Sequence, residues 1–319
     1  MRRSARHRAG GAVEDPAAAR VEHRVCRSGK SRMNEVRRWR QAAKRIAPLY
    51  WLAGLWRYAG FRMQLARANR VDPGNPDARL PPPMLRYRVH RALDAESYLR
   101  NGQAIARCLV DALNKHGATL RHRVVLDFAC GPGRVISELA SATESCSLHG
   151  SDIDAEAIAW ASENLSSVAE FSTNTTSAPT DYPDAMFDVI YSVSLFTHLN
   201  TAAQDEWLAE MQRLLKPGGT LLVTTHGRFT LDSCTPDERA ALQREGIVYR
   251  TDHKGRFKVD GLPDFYQTTF HTVDYVQRHW GRYFSIVEHI EGGLNGHQDM
   301  VVMRKRATAA SCLEAAHPD

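Results

Sequence analysis

Two acidic residues bracket a glycine turn in this chain, and their placement restricts the ligand that the turn can hold. Asp127 sits near the end of the apolar run Val124–Phe128, which leads into Ala129, Cys130, Gly131, Pro132, Gly133 and Arg134. Glycines at 131 and 133 let the backbone approach a ligand, Pro132 stiffens the turn, and a helix starting here presents unpaired N–H groups. Alone, such a turn reads equally as a tight strand-to-helix connection. A pyrophosphate loop avoids a carboxylate at its entrance because like charges repel, so Asp127 argues against NAD and for a cationic or amine-bearing ligand. A second acid, Asp152, follows His149-Gly150-Ser151 and lies 19 positions after Gly133, close to the roughly 20-residue spacing of a carboxylate on ribose hydroxyls. Ile153 offers an apolar face to a purine. These residues describe a nucleoside without phosphates that carries a positive centre.

Histidine supplies the second chemistry. Its pKa near neutrality suits it to take a proton from a hydroxyl, an assistance worth roughly 10²–10⁴-fold. Of the 14 histidines, His198 follows an apolar strand within Ser194-Leu195-Phe196-Thr197-His198-Leu199, and His226 follows Thr220–Thr225. Both fall at strand ends, where open α/β sheets bind ligands. The competing reading of His198 is a helix-capping or core histidine. Trp160 and Trp207, at helical spacing among apolar neighbours, read as core.

Bringing these residues together requires strands whose carboxyl ends share one edge. Short β-rich runs alternate with helices: Val124–Phe128, a helix after Gly133, Ser147–Gly150, a helix after Asp154, Val168–Ser172, Phe187–Tyr191, a helix near Ala202–Leu215, then Thr220–Thr225. This predicts an α/β fold with a doubly wound, mostly parallel sheet. A helix from Asp94 to about His116 places Leu99, Ile105, Leu109 and Leu113 on one face. Between Gly227 and Thr272 lies an insertion long enough to act as a lid or specificity element. It is expected to hold a helix, Pro236 to Glu245, and a hairpin of Ile247–Arg250 with Arg256–Val259 around Lys254-Gly255. Its Tyr249, His253, Phe265, Tyr266 and His271 either shape an acceptor pocket or pack the lid itself. A helix over Val273–Trp280 and strands over Tyr283–Ile290 and Asp299–Lys305 complete the order.

From Leu126 to Gly133 the chain resembles the class I S-adenosylmethionine-dependent methyltransferases: hydrophobic strand, Asp, small residue, Cys, Gly, Pro, Gly, with Ala129 where that family usually has glycine. Phe187–Val193 and Leu215-Lys216-Pro217-Gly218-Gly219 match later motifs, and the resemblance extends over roughly residues 90–305. It implies a seven-stranded Rossmann-like sheet with an N-terminal helical extension and a lid insertion before the last hairpin. It also implies S-adenosyl-L-methionine as cofactor; no metal is expected, since the cysteines show no metal-ligand spacing with histidine. Carried over, Asp127 with Ala129, Cys130, Gly131 and Gly133 holds the methionine part, Asp152 the ribose, Ile153 the adenine face, and Asn174 the adenine edge, where the family usually has Asp. Ser192 and Val193 line the floor beside the sulfonium. Ala129 is expected to tighten the loop only slightly. His198 and then His226 are the candidate bases.

The charge distribution bears on the acceptor. Formal net charge is +6 over 319 residues. Residues 1–32 carry nine Lys/Arg and three Asp/Glu, residues 33–70 nine and one, and residues 71–319 carry 24 and 32. A mildly acidic main body disfavours a nucleic-acid groove, which needs clustered Lys/Arg. The expected acceptor is therefore a small molecule, a hydroxyl of a sugar, glycolipid or secondary metabolite. The alternatives are a macromolecular RNA or protein methyltransferase recruited through the basic arm and a non-catalytic S-adenosylmethionine-binding protein. Six cysteines show no CxxC pairing, and the first 30 residues lack a hydrophobic stretch, so a reduced, cytoplasmic setting is expected. The expected organisation is a disordered basic tail over 1–32, which Met33 would exclude if it is the true start. A basic helical arm and Pro-rich linker over 33–90, a main domain over 91–305 and a tail over 306–319 follow. The arm either packs on the main domain or makes a weak membrane-surface contact.

Overall fold

The computed structural model describes residues 47–75, 79–143, 145–251 and 261–307. The expectations for residues 1–32, for the arm before Ala47 and for the tail beyond residue 307 lie outside the described residues. Two compact units divide at Gly60 and Phe61, and helix α1 (Ala47–Val71) is described as an element in its own right.

In the second unit the strands of the main sheet are β1 (Val124–Phe128), β2 (Ser147–Asp152), β3 (Glu170–Thr173), β4 (Phe187–Ser192), β5 (Leu215–Thr225), β8 (Ser285–Leu294) and β9 (Gln298–Arg304), while β6 (Ile247–Arg250) and β7 (Thr268–His271) form a separate two-stranded sheet. The order is β3-β2-β1-β4-β5-β9-β8. All neighbours among the first five are parallel, and β9 runs antiparallel to both β5 and β8. The sheet is thus seven-stranded and doubly wound, and strand order reverses between β1 and β4, the position where such sheets open a crevice.

Alternating side chains assign the two faces of the sheet. Val125 of β1, Val189 and Tyr191 of β4 and Val302 of β9 join one apolar cluster with α3 (Ala95–Lys115) and α4 (Arg134–Ala142). Leu126 and Phe128 of β1, Ile190 of β4 and Val301 of β9 join a second cluster with α6 (Thr201–Leu214) and α8 (Val273–Trp280). Helices on both faces explain why the central strands read as continuous apolar runs. Local chemistry fixes the helix starts. Asp94, Asn200 and Thr272 cap α3, α6 and α8, and Asp154 caps α5 (Ala155–Asn164), each accepting a backbone N–H three residues on. β5 starts at Leu215 rather than Thr220, because Lys216–Gly219 form a bulge between the pairs Phe187–Leu215 and Val189–Thr220.

The Pro-rich stretch before the sheet is fastened in place. Arg86, fully buried on α2 (Pro83–His90), donates from its guanidinium to the carbonyls of Leu93, Pro81 and Asp72 and pairs with the Asp72 carboxylate at 3.1 Å. The insertion begins with a 3-10 turn at Arg228–Ser233. It continues into α7 (Pro236–Glu245), where Thr235 and Glu238 form a reciprocal capping box. β6 (Ile247–Arg250) forms where the sequence places a strand and pairs antiparallel with β7 (Thr268–His271); its expected hairpin partner, Arg256–Val259, lies outside the described residues. The observed pairing is set by β7's attachment to the main body, where Thr269 N–H donates to Thr197 and His271 N–H to His226.

Candidate active site

A cavity of about 490 Å³ opens at the carboxyl ends of β1, β2 and β4. Its floor is the turn after β1. Ala129 and Gly131 adopt left-handed backbone, with φ of 68° and 54°. A Cβ on Gly131 would lie 2.5 Å from Val89 Cγ1 of α2, so glycine is required there both by conformation and by the close approach of α2. Gly131 N–H donates to Asp152 Oδ2 at 2.7 Å, and Asp154 N–H donates to Oδ1 at 2.8 Å. The turn and the end of β2 are thereby joined through one carboxylate, whose oxygens each keep further acceptor capacity.

Asp127 is 3% exposed, and its Oδ2 is buried without a hydrogen-bond partner. Burial pushes its carboxyl up to about 7; the Tyr191 hydroxyl and Arg134 oppose that shift, and Asp152 adds to it. Asp152 is raised too, chiefly by burial. Two half-compensated acids in one cavity form a site for a positive group. On the same wall lies Arg134, whose Nη1 donates to Asn101 Oδ1 at 2.9 Å and to His90 Nδ1 at 3.3 Å, while its Nε is buried without a partner. An unpartnered buried carboxylate oxygen beside an unpartnered buried guanidinium nitrogen matches a ligand end that carries both an ammonium and a carboxylate.

The same cavity is also lined by His198, His226, His297, Tyr266, Phe265 and Trp207. His198 Nδ1 bonds the Gln267 carbonyl, and His226 Nδ1 bonds the Thr269 carbonyl at 3.1 Å. A carbonyl only accepts, so both rings carry their proton on Nδ1 and present Nε2 as the acceptor nitrogen. The Tyr266 ring stacks on His198 with centroids 4.0 Å apart, and its hydroxyl donates to the Ser194 carbonyl at 3.3 Å. The ring centroids of His198 and His226 are 6.2 Å apart.

Of the residues singled out in the sequence, Asp127, Ala129, Cys130, Gly131, Asp152, Ile153, Asn174, Val193, His198 and His226 line this one cavity. Gly133 and Ser192 do not. Gly133 is the α4 N-cap, where an added Cβ would meet Leu165 Cδ1 at 2.7 Å, so its small size serves packing behind the turn. Ser192 is fully buried in the sheet. Asn174 accepts from Ser151 Oγ at 2.7 Å and donates to the Thr175 carbonyl. Trp207 is at once core, with its ring 4.8 Å from Phe128, and cavity wall, whereas Trp160 lines none of the cavity. Within the insertion Phe265 and Tyr266 reach the cavity; Tyr249 and His271 do not, and His253 lies outside the described residues. Sequence reasoning missed Val89, His90, Asn101 and Arg134, and also Asn295, His297 and Gln298 at the β8–β9 turn. Arg134 was legible as the first helical residue after the turn; the others are brought in only by tertiary packing.

A family model described as a methyltransferase domain matches residues 125–219. An uncharacterized protein of Haemophilus influenzae is 30% identical over 118 residues, which are 35% of this chain and 46% of that protein; the chain thus spans about half the length of this curated relative. A solved S-adenosylmethionine-dependent methyltransferase from Methanosarcina mazei is 22% identical, with 61% of this chain and 98% of that chain covered and a TM-score of 0.44. For one from Clostridium acetobutylicum the values are 11%, 69%, 96% and 0.47.

Proposed function

We propose that this chain, whose residues 125–219 match a methyltransferase-domain model, is a class I S-adenosylmethionine-dependent methyltransferase that moves a methyl group to a hydroxyl oxygen of a small-molecule acceptor. The cofactor fits the residues present, and the observation that carries the reading is the unpartnered Asp127 Oδ2 in a cavity that two histidines with Nε2 as acceptor also line. Asp127 would hold the cofactor ammonium and Arg134 its carboxylate. Asp152 would accept from the ribose hydroxyls, Ile153 would cover the adenine, and Val193 with the turn at Ala129–Gly131 would close the floor. When bound, the cofactor supplies a methyl group on a cationic sulfur that departs as a neutral thioether.

Displacement at that methyl needs the acceptor oxygen in line and water excluded. Tyr266 and Phe265 close the side of the cavity that the insertion contributes, and Tyr266 holds the His198 ring by stacking. His198 Nε2 takes the proton that the acceptor hydroxyl loses as its oxygen is alkylated, with His226 next to it as the second base. The Gln267 carbonyl stabilises the His198 ring as it becomes cationic on taking that one proton. An acceptor hydroxyl is favoured over a base-free nucleophile because two bases are held in the same tautomer in this cavity.

Calorimetric titration with S-adenosylhomocysteine should give micromolar binding, weakened at least tenfold in Asp127→Asn, where an acceptor for the ammonium is lost. Labelled methyl transfer to pooled metabolites then identifies the acceptor. With it, His198→Ala should lower kcat roughly 10²-fold or more and leave cofactor affinity unchanged. No binding of S-adenosylhomocysteine refutes the cofactor assignment, and an unchanged kcat refutes the role of His198.

A further inference from the structure

We propose that the outer face of α1 docks on an anionic lipid surface. The helix has two apolar sides. On one, Leu65 is 8% exposed and the Phe61 ring packs on Tyr87 with centroids 4.5 Å apart. On the other, Leu52, Leu55, Trp56 and Met63 stand in solvent, with Trp56 77% and Met63 69% exposed. Met63 and Leu65 are two positions apart, about 200° around a 3.6-residue helix, whereas Leu52 and Trp56, and Trp56 and Met63, recur at spacings of four and seven on one side.

Exposed arginines at 57, 62, 67 and 70 accompany this stripe, and the helix contains no acidic residue. An exposed Trp, Leu and Met stripe with arginines beside it is the pattern of a helix lying in the plane of an interface, apolar side chains among the acyl chains and cations at the headgroups. Spanning is a different matter: among the described residues no helix is long and apolar enough to cross a membrane. A second copy of this helix is a poor occupant, since pairing two such faces gathers their arginines with no helix acid to oppose them. A nucleic acid would use the arginines and leave the apolar stripe without a role. The proposal is independent of which acceptor the cavity takes.

The test is co-sedimentation of the full chain with vesicles of phosphatidylcholine alone and of phosphatidylcholine mixed with phosphatidylglycerol. The wild type should bind the mixed vesicles, release at high salt and ignore phosphatidylcholine. Trp56→Ser/Met63→Ser and Arg62→Gln/Arg67→Gln, with circular dichroism as the check of folding, should each weaken binding roughly tenfold or more. Three results overturn the proposal. One is failure of the folded wild type to bind the mixed vesicles, and another is undiminished binding by the serine pair. The third is a wild-type dimer that the serine pair converts to monomer, which would assign the face to a second copy.

Discussion

Ala129 carries most of its meaning in one backbone angle. Its sequence position, in a turn where the resembled family has glycine, leads to the expectation of slight tightening around a ligand. The structure gives it a φ of 68°, a region that costs an L-residue roughly 1–2 kcal/mol and glycine almost nothing. Against that gain, glycine loses about 0.5–1 kcal/mol more backbone entropy on folding. Ala129→Gly is therefore expected to stabilise the protein by about 0.5–1 kcal/mol, read as a higher urea midpoint at unchanged slope. A lower midpoint would mean that the Cβ contributes packing that outweighs the strain. The residue type was legible and the strain was not, because φ is fixed by the bonds that Ala129 and Cys130 N–H make to the Ser151 carbonyl on β2. The same holds for His198 and His226. Their place at strand ends could be read, but the tautomer that makes each an Nε2 acceptor comes from carbonyls about 70 and 43 residues away in sequence.

Strands and helices of the sheet were legible because each is periodic or continuous in apolar residues over its own length and is bounded by a cap or a glycine. α7 and α8 fall where the sequence places them, at Pro236–Glu245 and Val273–Trp280. β6 was readable as a strand at its own bounds, but its pairing with β7 was not, because β7 is placed by its contacts with the main body, which no local turn signal encodes. α2 is eight residues long and begins with proline in a run of three, so it looks like the end of a linker; it is held by Arg86, whose partners span Asp72 to Leu93. This helix also brings Val89 onto Gly131 and His90 onto Arg134. Arg86→Ala should thus cost about 3–5 kcal/mol, since it leaves a partly buried carboxylate and three carbonyls without their donor. It should also loosen S-adenosylhomocysteine binding. Arg86→Lys should restore little, because an ammonium cannot span three separate carbonyls as the planar guanidinium does. Loss of stability with full ligand affinity would separate α2 from the turn and refute the coupling.

Across the whole molecule, two buried groups pull the pH dependence of stability in opposite directions. Asp127 is raised to about 7, so between the ordinary carboxylate value near 4 and 7 the native state holds a proton that the unfolded state has lost. Its contribution to stability is full below about 4 and fades as pH rises to 7, at about 1.4 kcal/mol per pH unit. His271 is fully enclosed, with Nε2 at 3.2 Å from Gln204 Oε1, and burial together with neighbouring His226, His289 and His279 lowers it to about 3. Its contribution is present above about 6.5 and is lost as pH falls toward 3, with the same slope and opposite sign. From about 4 to 6.5 these two cancel, and the slope that remains is set by the other shifted groups, among them Asp152, which burial raises like Asp127. The lowered carboxyls of Asp188 and Glu210 add stability above the unfolded carboxylate value. Asp127→Asn should expose the His271 slope, with stability rising from pH 4 to 6.5, and His271→Asn should expose the fall due to Asp127. A ligand ammonium selects ionised Asp127, so S-adenosylhomocysteine, through its ammonium, should raise the unfolding midpoint of the wild type more at pH 8 than at pH 5. In Asp127→Asn the ligand-induced shift should be smaller and should depend less on pH, what remains coming from Asp152. A wild-type ligand shift that does not change with pH would remove Asp127 from contact with the positive group and, with it, the main physical reason for the cavity's choice of ligand.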